Sequence, residues 1–121
     1  MITTYDDVPD TVVAVRASGE VTAADYQKVL IPAVEQVLDQ YEKVSFLYHL
    51  GPDFTGFTAG AMWDDTRVGF EHYTSWYKIA LVSDMSWIRH LASGMGIFMP
   101  AQVRVFDNDQ LDEAKRWVAE A

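Results

Sequence analysis

The chain has 121 residues and no cysteine, which allows a single domain over residues 1–121 and excludes disulfides, thiolate zinc sites and a cysteine nucleophile. Eighteen acidic residues against nine basic ones give a net charge of −9, and this negative field disfavours binding to nucleic acid. The N-terminus is acidic where a signal peptide needs base, and no apolar stretch is long enough to span a bilayer, so we expect a cytoplasmic protein.

Three segments in the first half of the chain carry strand patterns. Residues 11–17 are β-branched and apolar, and residues 2–5 are expected to pair with them antiparallel. Residues 44–50 are almost entirely apolar, which is typical of a strand covered on both faces. The Gly-Pro-Asp run at 51–53 is predicted to end that strand.

The first helix is predicted to begin at Thr22, whose hydroxyl pairs with Asp25 in a capping box. Pro32 lies inside this helix, and we expect a bend there because its ring opposes the carbonyl of Lys28. Spacings of three and four residues place an apolar stripe on the side that faces the sheet. That stripe consists of Tyr26, Val29, Leu30, Ala33, Val34, Val37, Leu38 and Tyr41.

The middle of the chain predicts a helix, a strand and another helix. The helix covers residues 58–73 and follows a loop at 54–57, although two glycines lower its propensity. Residues 76–82 form the next predicted strand, after which Ser83 or Asp84 caps a third helix. The apolar side of that helix consists of Trp87, Ile88, Leu91, Met95 and Phe98.

The end of the chain predicts one more strand and one more helix. The strand covers residues 102–106, and Asp107 with Gln110 can form a capping box for the helix. The inner face of that helix consists of Leu111, Ala114, Trp117 and Val118. Alternation of this kind predicts an α/β fold, with a mixed, mainly parallel sheet of four to five strands and four helices. The strand order cannot be read from the sequence.

No motif in the sequence predicts catalysis, a metal or a cofactor. Glycine-rich phosphate loops and the Gly-x-Ser-x-Gly pattern are absent. His49, His72 and His90 share no ligand spacing, and we expect His49 at a strand end and the other two on helix surfaces. We therefore expect no catalytic residue, no metal site and no cofactor. An enzyme built on the histidines is the least favoured alternative.

Asp64 and Asp65 form a carboxylate pair on the second predicted helix. Adjacent helical residues point about 100° apart, so the two cannot share a proton as a catalytic dyad does. We expect one of them to face solvent and the other to contact a basic residue or an amide.

The order of elements and several stretches resemble the SpoIIAA-like proteins, small relatives of STAS domains. The likeness covers nearly the whole chain, in residues 21–26 with Pro32, 45–48, 62–65, 78–84 followed by Trp87, 103–106 and 113–118. It implies a mixed sheet with helices packed on it, an architecture that lipid-carrying CRAL-TRIO domains elaborate. It also implies a domain without enzymatic activity.

The resemblance also singles out Thr58. In STAS antagonists, the loop between a central strand and the next helix carries an Asp-Ser-Ser-Gly motif, whose first serine is phosphorylated by a partner kinase. The equivalent stretch is residues 57–60, so Thr58 stands at the place of that serine, although Phe57 replaces the aspartate. The resemblance thus implies a regulatory protein partner. The alternative is that Thr58 is an unmodified helix cap.

The segment 85–99 is rich in aromatic residues and methionine, and it suggests a site for a hydrophobic or amphipathic small molecule or a membrane surface. Its glycines could let it move as a lid. The candidate ligand-binding residues are Trp63, Phe70, Trp87, Leu91, Met95, Phe98 and Met99. The alternative is that most of these side chains are ordinary core, with Phe98 and Met99 the better candidates for an exposed patch.

The second hypothesis is a protein-interaction module in which the Thr58 loop meets a regulatory partner. A homodimer is also open for a small acidic domain with surplus aromatic residues.

Overall fold

The computed structural model describes residues 1–72, 74–90 and 101–120, with only the backbone at 69 and 70. Within these ranges there are five strands, β1 to β5, at Ile2–Thr4, Val12–Val21, Val44–Phe57, Trp76–Val82 and Gln102–Phe106. Helix α1 runs over residues 23–38, α2 over Ala59–Glu71 and α4 over Leu111–Ala119, and α3 begins at residue 86. The structure confirms the predicted α/β class with a mainly parallel sheet and four helices.

The five strands form one sheet in sequential order. β1 pairs with β2 antiparallel, with Ile2 opposite Ala17, and β2 to β5 are parallel neighbours. Right-handed crossovers that always step to the next strand place their helices on one face. In agreement, buried residues of α1, α2 and the described part of α3 share one core layer. Helix α4 packs on the opposite face through Ala114 and Val118.

The prediction that residues 51–53 end the third strand, and that 54–57 form a loop, is wrong. β3 continues through Gly51-Pro52-Asp53 to Phe57 and stays paired with β2. Between the pairs Ala17↔Leu50 and Val21↔Phe57, β3 advances seven residues while β2 advances four, so β3 bulges. A bulge leaves some residues outside the ladder, and there proline needs no backbone N–H.

Helix α1 begins as predicted, and its hydrogen bonding changes from α to π shortly before Pro32. The backbone N–H of Asp25 donates to Thr22 Oγ1 over 3.3 Å, and that of Thr22 donates to Asp25 Oδ2 over 2.9 Å, which confirms the capping box. Residues Tyr26–Leu30 then form a π-helical turn, in which the N–H of Ile31 reaches the carbonyl of Tyr26. Pro32 follows two residues after the end of this turn. The bend expected at Pro32 stays a prediction, and what the structure shows before the proline is a π turn, an irregularity that often accompanies helix kinks.

The core lies on both faces of the sheet around β3. All residues from 44 to 50 are buried, which confirms a strand covered on both faces. The α1 stripe packs on one face through Tyr26, Leu30, Val34 and Val37. Tyr41, the last member of the predicted stripe, lies beyond the end of the helix and is 39% exposed.

The later strands agree closely with the sequence pattern, whereas the predicted cap of α3 does not. Ser83 Oγ accepts the backbone N–H of Met85, just before the helix, and Asp84 Oδ1 accepts that of Asn108, so among the described contacts neither side chain caps α3. Asp107 and Gln110 form the predicted capping box before α4. In the part of the chain that the structure describes, no helix is long and apolar enough to cross a membrane.

Candidate functional site

A row of aromatic side chains leads from the core to the surface at the far end of β3. The rings of Tyr48 and Phe57 have centroids 6.2 Å apart, and those of Phe57 and Phe54 are 4.9 Å apart. Phe54 in turn stacks on Trp87 of α3 at 6.4 Å, with 30° between the ring planes. Phe54 is buried whereas Trp87 is 49% exposed. We call these four residues the aromatic row.

The inner end of the aromatic row meets a chain of hydroxyl groups. Tyr48 and Tyr26 have their hydroxyl oxygens 3.1 Å apart, and the Tyr26 hydroxyl donates to Asp65 Oδ1 over 2.8 Å. Tyr26 is 0% exposed, and Tyr48 is also buried. Asp65 as a whole residue is exposed, but the oxygen that contacts Tyr26 meets a fully buried group. We call Tyr48, Tyr26 and Asp65 the hydroxyl chain.

The hydroxyl chain has a direction that follows from proton counting. Burial, with the Asp65 charge second, raises the pKa of Tyr26, and burial also raises that of Tyr48, so both stay protonated. While Asp65 is ionised, Tyr26 gives its one proton to that carboxylate, so it must accept the proton of Tyr48. The Tyr48 hydroxyl has then used its only hydrogen, and its oxygen can act only as a hydrogen-bond acceptor. A ligand group that reaches Tyr48 in this state must therefore be a hydrogen-bond donor.

The two carboxylates on α2 have different surroundings. Asp64 is buried, accepts a hydrogen bond from the Gln27 amide over 3.2 Å and lies 3.5 Å from the Arg67 guanidinium. Contact with an amide and a basic residue is what the sequence predicted for one of the pair. Burial raises the pKa of Asp65, while the Tyr26 hydrogen bond opposes that shift.

The structure describes only part of the predicted ligand-binding set. Trp63 on α2 is 70% exposed, because the buried face of that helix carries Ala61, Asp64 and Val68. Trp87 is half-exposed, while its neighbour Ile88 is buried. The side chain of Phe70 and residues Leu91, Met95, Phe98 and Met99 lie outside the described residues.

Sequence reasoning missed Phe54, Phe57 and Tyr48 as site residues, because it placed a loop at 54–57. The sequence pattern places Tyr26 in the core stripe but does not predict a partner for its hydroxyl. A tyrosine at a fully buried helix position needs a partner for that hydroxyl, and this was the available signal.

Thr58 is the N-cap of α2, as predicted. Its Oγ1 accepts the backbone N–H of Ala61 over 3.1 Å, and the residue is partly exposed. Two residues on, a Cβ at Gly60 would lie 3.1 Å from the Cβ of Ala23. The first turns of α1 and α2 thus pack so closely that glycine fits best at residue 60.

The three histidines lie on β3, just after α2 and on α3. His49 is buried inside β3, which corrects its expected place at a strand end, and its Nδ1 lies 2.8 Å from the Tyr5 hydroxyl. Burial, followed by the charge of Arg16, lowers the pKa of His49. His72 is partly exposed and His90 is exposed. Among the described residues, no three His, Asp or Glu side chains are placed to hold a metal ion.

Comparison with known proteins agrees with this architecture. A family model described as SpoIIAA-like matches residues 12–119. An uncharacterized protein from Shewanella loihica PV-4, whose crystal structure has a SpoIIAA-like fold, is similar with a TM-score of 0.78 and 21% sequence identity. That match covers 98% of this chain and 92% of the other. No curated protein matches the chain. At this identity the likeness to the solved structure shows the fold.

Proposed function

Since the chain belongs to the SpoIIAA-like family, whose fold is typical of regulatory and binding domains, we propose that it is a binding domain and not an enzyme. Its ligand is a hydrophobic or amphipathic small molecule held on the α2–α3 side of the sheet, with segment 85–99 as the contact. The observation that carries this proposal is the aromatic row, which runs from buried Tyr48 to half-exposed Trp87.

Exposed apolar side chains on the same two helices support this ligand class. Met62 and Trp63 on α2 and Trp87 on α3 are each about half-exposed or more. Covering a large apolar side chain stabilises by roughly 1.5–3 kcal/mol relative to full exposure, so a partner that covers these residues gains affinity. A net charge of −9 works against docking on an anionic bilayer, which favours a small molecule over a membrane surface.

The hydroxyl chain adds a preference within that class. Tyr48 presents an acceptor while Asp65 is ionised, so an amphipathic ligand with a hydroxyl or amine head fits better than one with an ionised carboxylate. The negative charges of Asp64 and Asp65 on α2 also disfavour a ligand whose head group is an ionised carboxylate.

Native mass spectrometry of the protein purified from cells, followed by solvent extraction, tests the proposal. We expect a near-stoichiometric lipid-like adduct that is lost in Trp87→Ser and in the double variant Phe98→Ser with Met99→Ser. Tyr41→Ser is the matched control, since Tyr41 is 39% exposed, lies beyond the C-terminal end of α1 and makes no ring contact with the aromatic row in the described structure. An apo mass for the wild type, or an adduct that persists in Trp87→Ser, would count against this site.

A second candidate function is a protein-interaction module that acts through Thr58. Thr58 is a partly exposed residue and the N-cap of a 13-residue helix, where a phosphate would interact favourably with the helix dipole. Pull-downs with Thr58→Glu test this, with Thr58→Ser as the control that keeps the cap. Loss of a partner in Thr58→Glu alone would support the module, whereas identical partner lists would reject it.

A further inference from the structure

A small pocket lies on the face of the sheet that α4 covers, at the end where the parallel strands begin. Its lining comes from the starts of β2, β3 and β4 and from the C-terminal end of α4. The pocket has a volume of about 260 Å³. Small-molecule sites usually measure roughly 300–1,000 Å³, so this pocket suits only a compact ligand. We call it the α4 pocket.

The walls of the α4 pocket share one face of the sheet. Leu47 belongs to the core layer under α4, and side chains alternate along a strand, so Ser45 points to that same face. Val118 of α4 lies in this core layer as well. On β4, the ring centroid of Tyr77 lies 5.7 Å from Nζ of buried Lys78. Tyr77 and Val118 therefore form an apolar wall opposite the hydroxyl group of Ser45.

The hydroxyl group of Ser45 is the observation that points to a ligand. Ser45 is 5% exposed, and its hydroxyl makes no hydrogen bond within the described residues. Its oxygen is not among the unpartnered atoms that are shut off from solvent, so it is reached from the pocket that Ser45 lines. Hydroxyl groups of buried residues nearly always have a hydrogen-bond partner. An occupant of the α4 pocket would supply the missing one.

The charge that lacks a partner in this lining is positive. Among the described lining residues, Glu120 is the only carboxylate, and it lies 3.8 Å from the ammonium group of Lys78. Lys43 is the only lining cation, and it has no carboxylate partner within the described residues. Its ammonium group donates one hydrogen to the carbonyl of Thr74 over 2.6 Å, which leaves two for a ligand. Because charges are screened over about 8 Å at physiological ionic strength, this local cation matters more to a bound ligand than distant acidic residues do.

We propose that the α4 pocket binds a small carboxylate carried on an apolar body. The carboxylate accepts hydrogen bonds from the Ser45 hydroxyl and the Lys43 ammonium group, while the apolar body lies against Tyr77 and Val118. Lys43 and Ser45 are two residues apart, so strand alternation puts both on one face. This site is separate from the one in the proposed function, because the aromatic row lies at the other end of β3 and in the other core layer.

Benzoate is a minimal probe for this ligand class, and its binding should be weak. An exposed lysine attracts an anion only modestly, and a ligand of about nine heavy atoms in a small pocket reaches a Kd on the order of 10 mM. Chemical-shift titration of the isotope-labelled protein detects binding in this range and locates it by residue. We expect benzoate to shift the amide signals of residues 43–45, 77–78 and 118–120. Shifts scattered over the whole surface, or no saturable shift up to about 50 mM, would overturn the site.

Two compounds of similar shape test the role of charge. Benzamide has nearly the shape of benzoate without its charge, and benzylamine has the opposite charge. Benzamide should bind about five-fold more weakly than benzoate, and benzylamine more weakly still, since it meets the ammonium group of Lys43. Equal binding of benzoate and benzamide would refute the preference for a carboxylate.

Variants of the lining residues test each contact, and their amide spectra without probe show whether the fold is kept. Ser45→Ala and Lys43→Met should each weaken benzoate binding about five-fold. Lys28→Met removes the same charge from an exposed residue of α1, on the other face of the sheet, and should leave binding unchanged. Ala119→Trp fills the pocket from an exposed position and should abolish binding. Full binding to Ser45→Ala or Ala119→Trp, or similar weakening by the two lysine variants, would reject the proposal.

Discussion

Replacing Tyr26 with phenylalanine removes a fully buried hydroxyl that makes two hydrogen bonds. The bond to Asp65 measures 2.8 Å, and bonds to charged groups contribute about 1.5–3 kcal/mol. The bond to Tyr48 measures 3.1 Å, and an unpartnered buried hydroxyl costs roughly 1–3 kcal/mol. The two contributions share one group and are not additive. We expect Tyr26→Phe to lower the free energy of unfolding by about 2–4 kcal/mol.

Equilibrium unfolding in urea, followed by circular dichroism, measures this loss as a lower midpoint at an unchanged m value. Tyr41→Phe is the control, since Tyr41 is exposed and its hydroxyl makes no hydrogen bond within the described residues. It should change stability by less than about 0.5 kcal/mol. Equal midpoints for the two variants would refute the reasoning, because the hydroxyl chain would then contribute no net stability.

Three further changes test other parts of the structure by the same urea midpoints. Asp65→Asn should stabilise the fold near neutral pH, because burial raises the pKa of Asp65 and disfavours its charge. A raised carboxyl pKa favours the folded state at low pH, so this gain should shrink as pH falls through the folded-state pKa, and a constant difference would contradict it. The lowered pKa of His49 keeps the folded imidazole neutral, so the wild type should lose stability as pH falls below about 6.5, where the unfolded chain takes up the proton. His49→Gln should flatten that slope and the exposed His90→Gln should not. Thr58→Ala should cost about 1 kcal/mol and Thr58→Ser close to nothing, unless the cap contributes no stability to α2.

Features that depend on neighbours in the sequence were predictable. The capping boxes at Thr22 and Asp107 form between residues three apart, so their chemistry is visible in the sequence. The bounds of β4 and β5 agree with the predicted strands because turn or capping residues flank short apolar runs. Local patterns of this kind set most of the fold class.

Features that depend on distant partners were not predictable. Whether Gly51-Pro52-Asp53 ends a strand depends on β2, which runs on to Val21 and offers a pairing edge to the rest of β3. Gly19 lies opposite Phe54 with a φ of 59°, a conformation that glycine adopts without strain. The continued pairing of β3 therefore involves Gly19, which lies more than thirty residues before the predicted strand end at 51–53.

The hydroxyl chain was hidden for the same reason. Tyr26 was assigned to the correct buried stripe, but its partners Tyr48 and Asp65 lie 22 and 39 residues away in the sequence. The pair Asp64 and Asp65 was recognised, and helical geometry correctly separated their roles. Which of the two would reach a tyrosine depended on how α2 packs against α1.

The order of the strands bears on where a ligand can bind. In open parallel sheets, ligands usually occupy the crevice where strand order reverses and neighbouring helices leave on opposite faces. The described sheet runs sequentially from β1 to β5, and α1, α2 and the described part of α3 share one face, so no such crevice opens between β2 and β5. The proposed ligand site instead lies within the helix layer. This favours the aromatic row, because it connects the end of β3 to α3 within that layer.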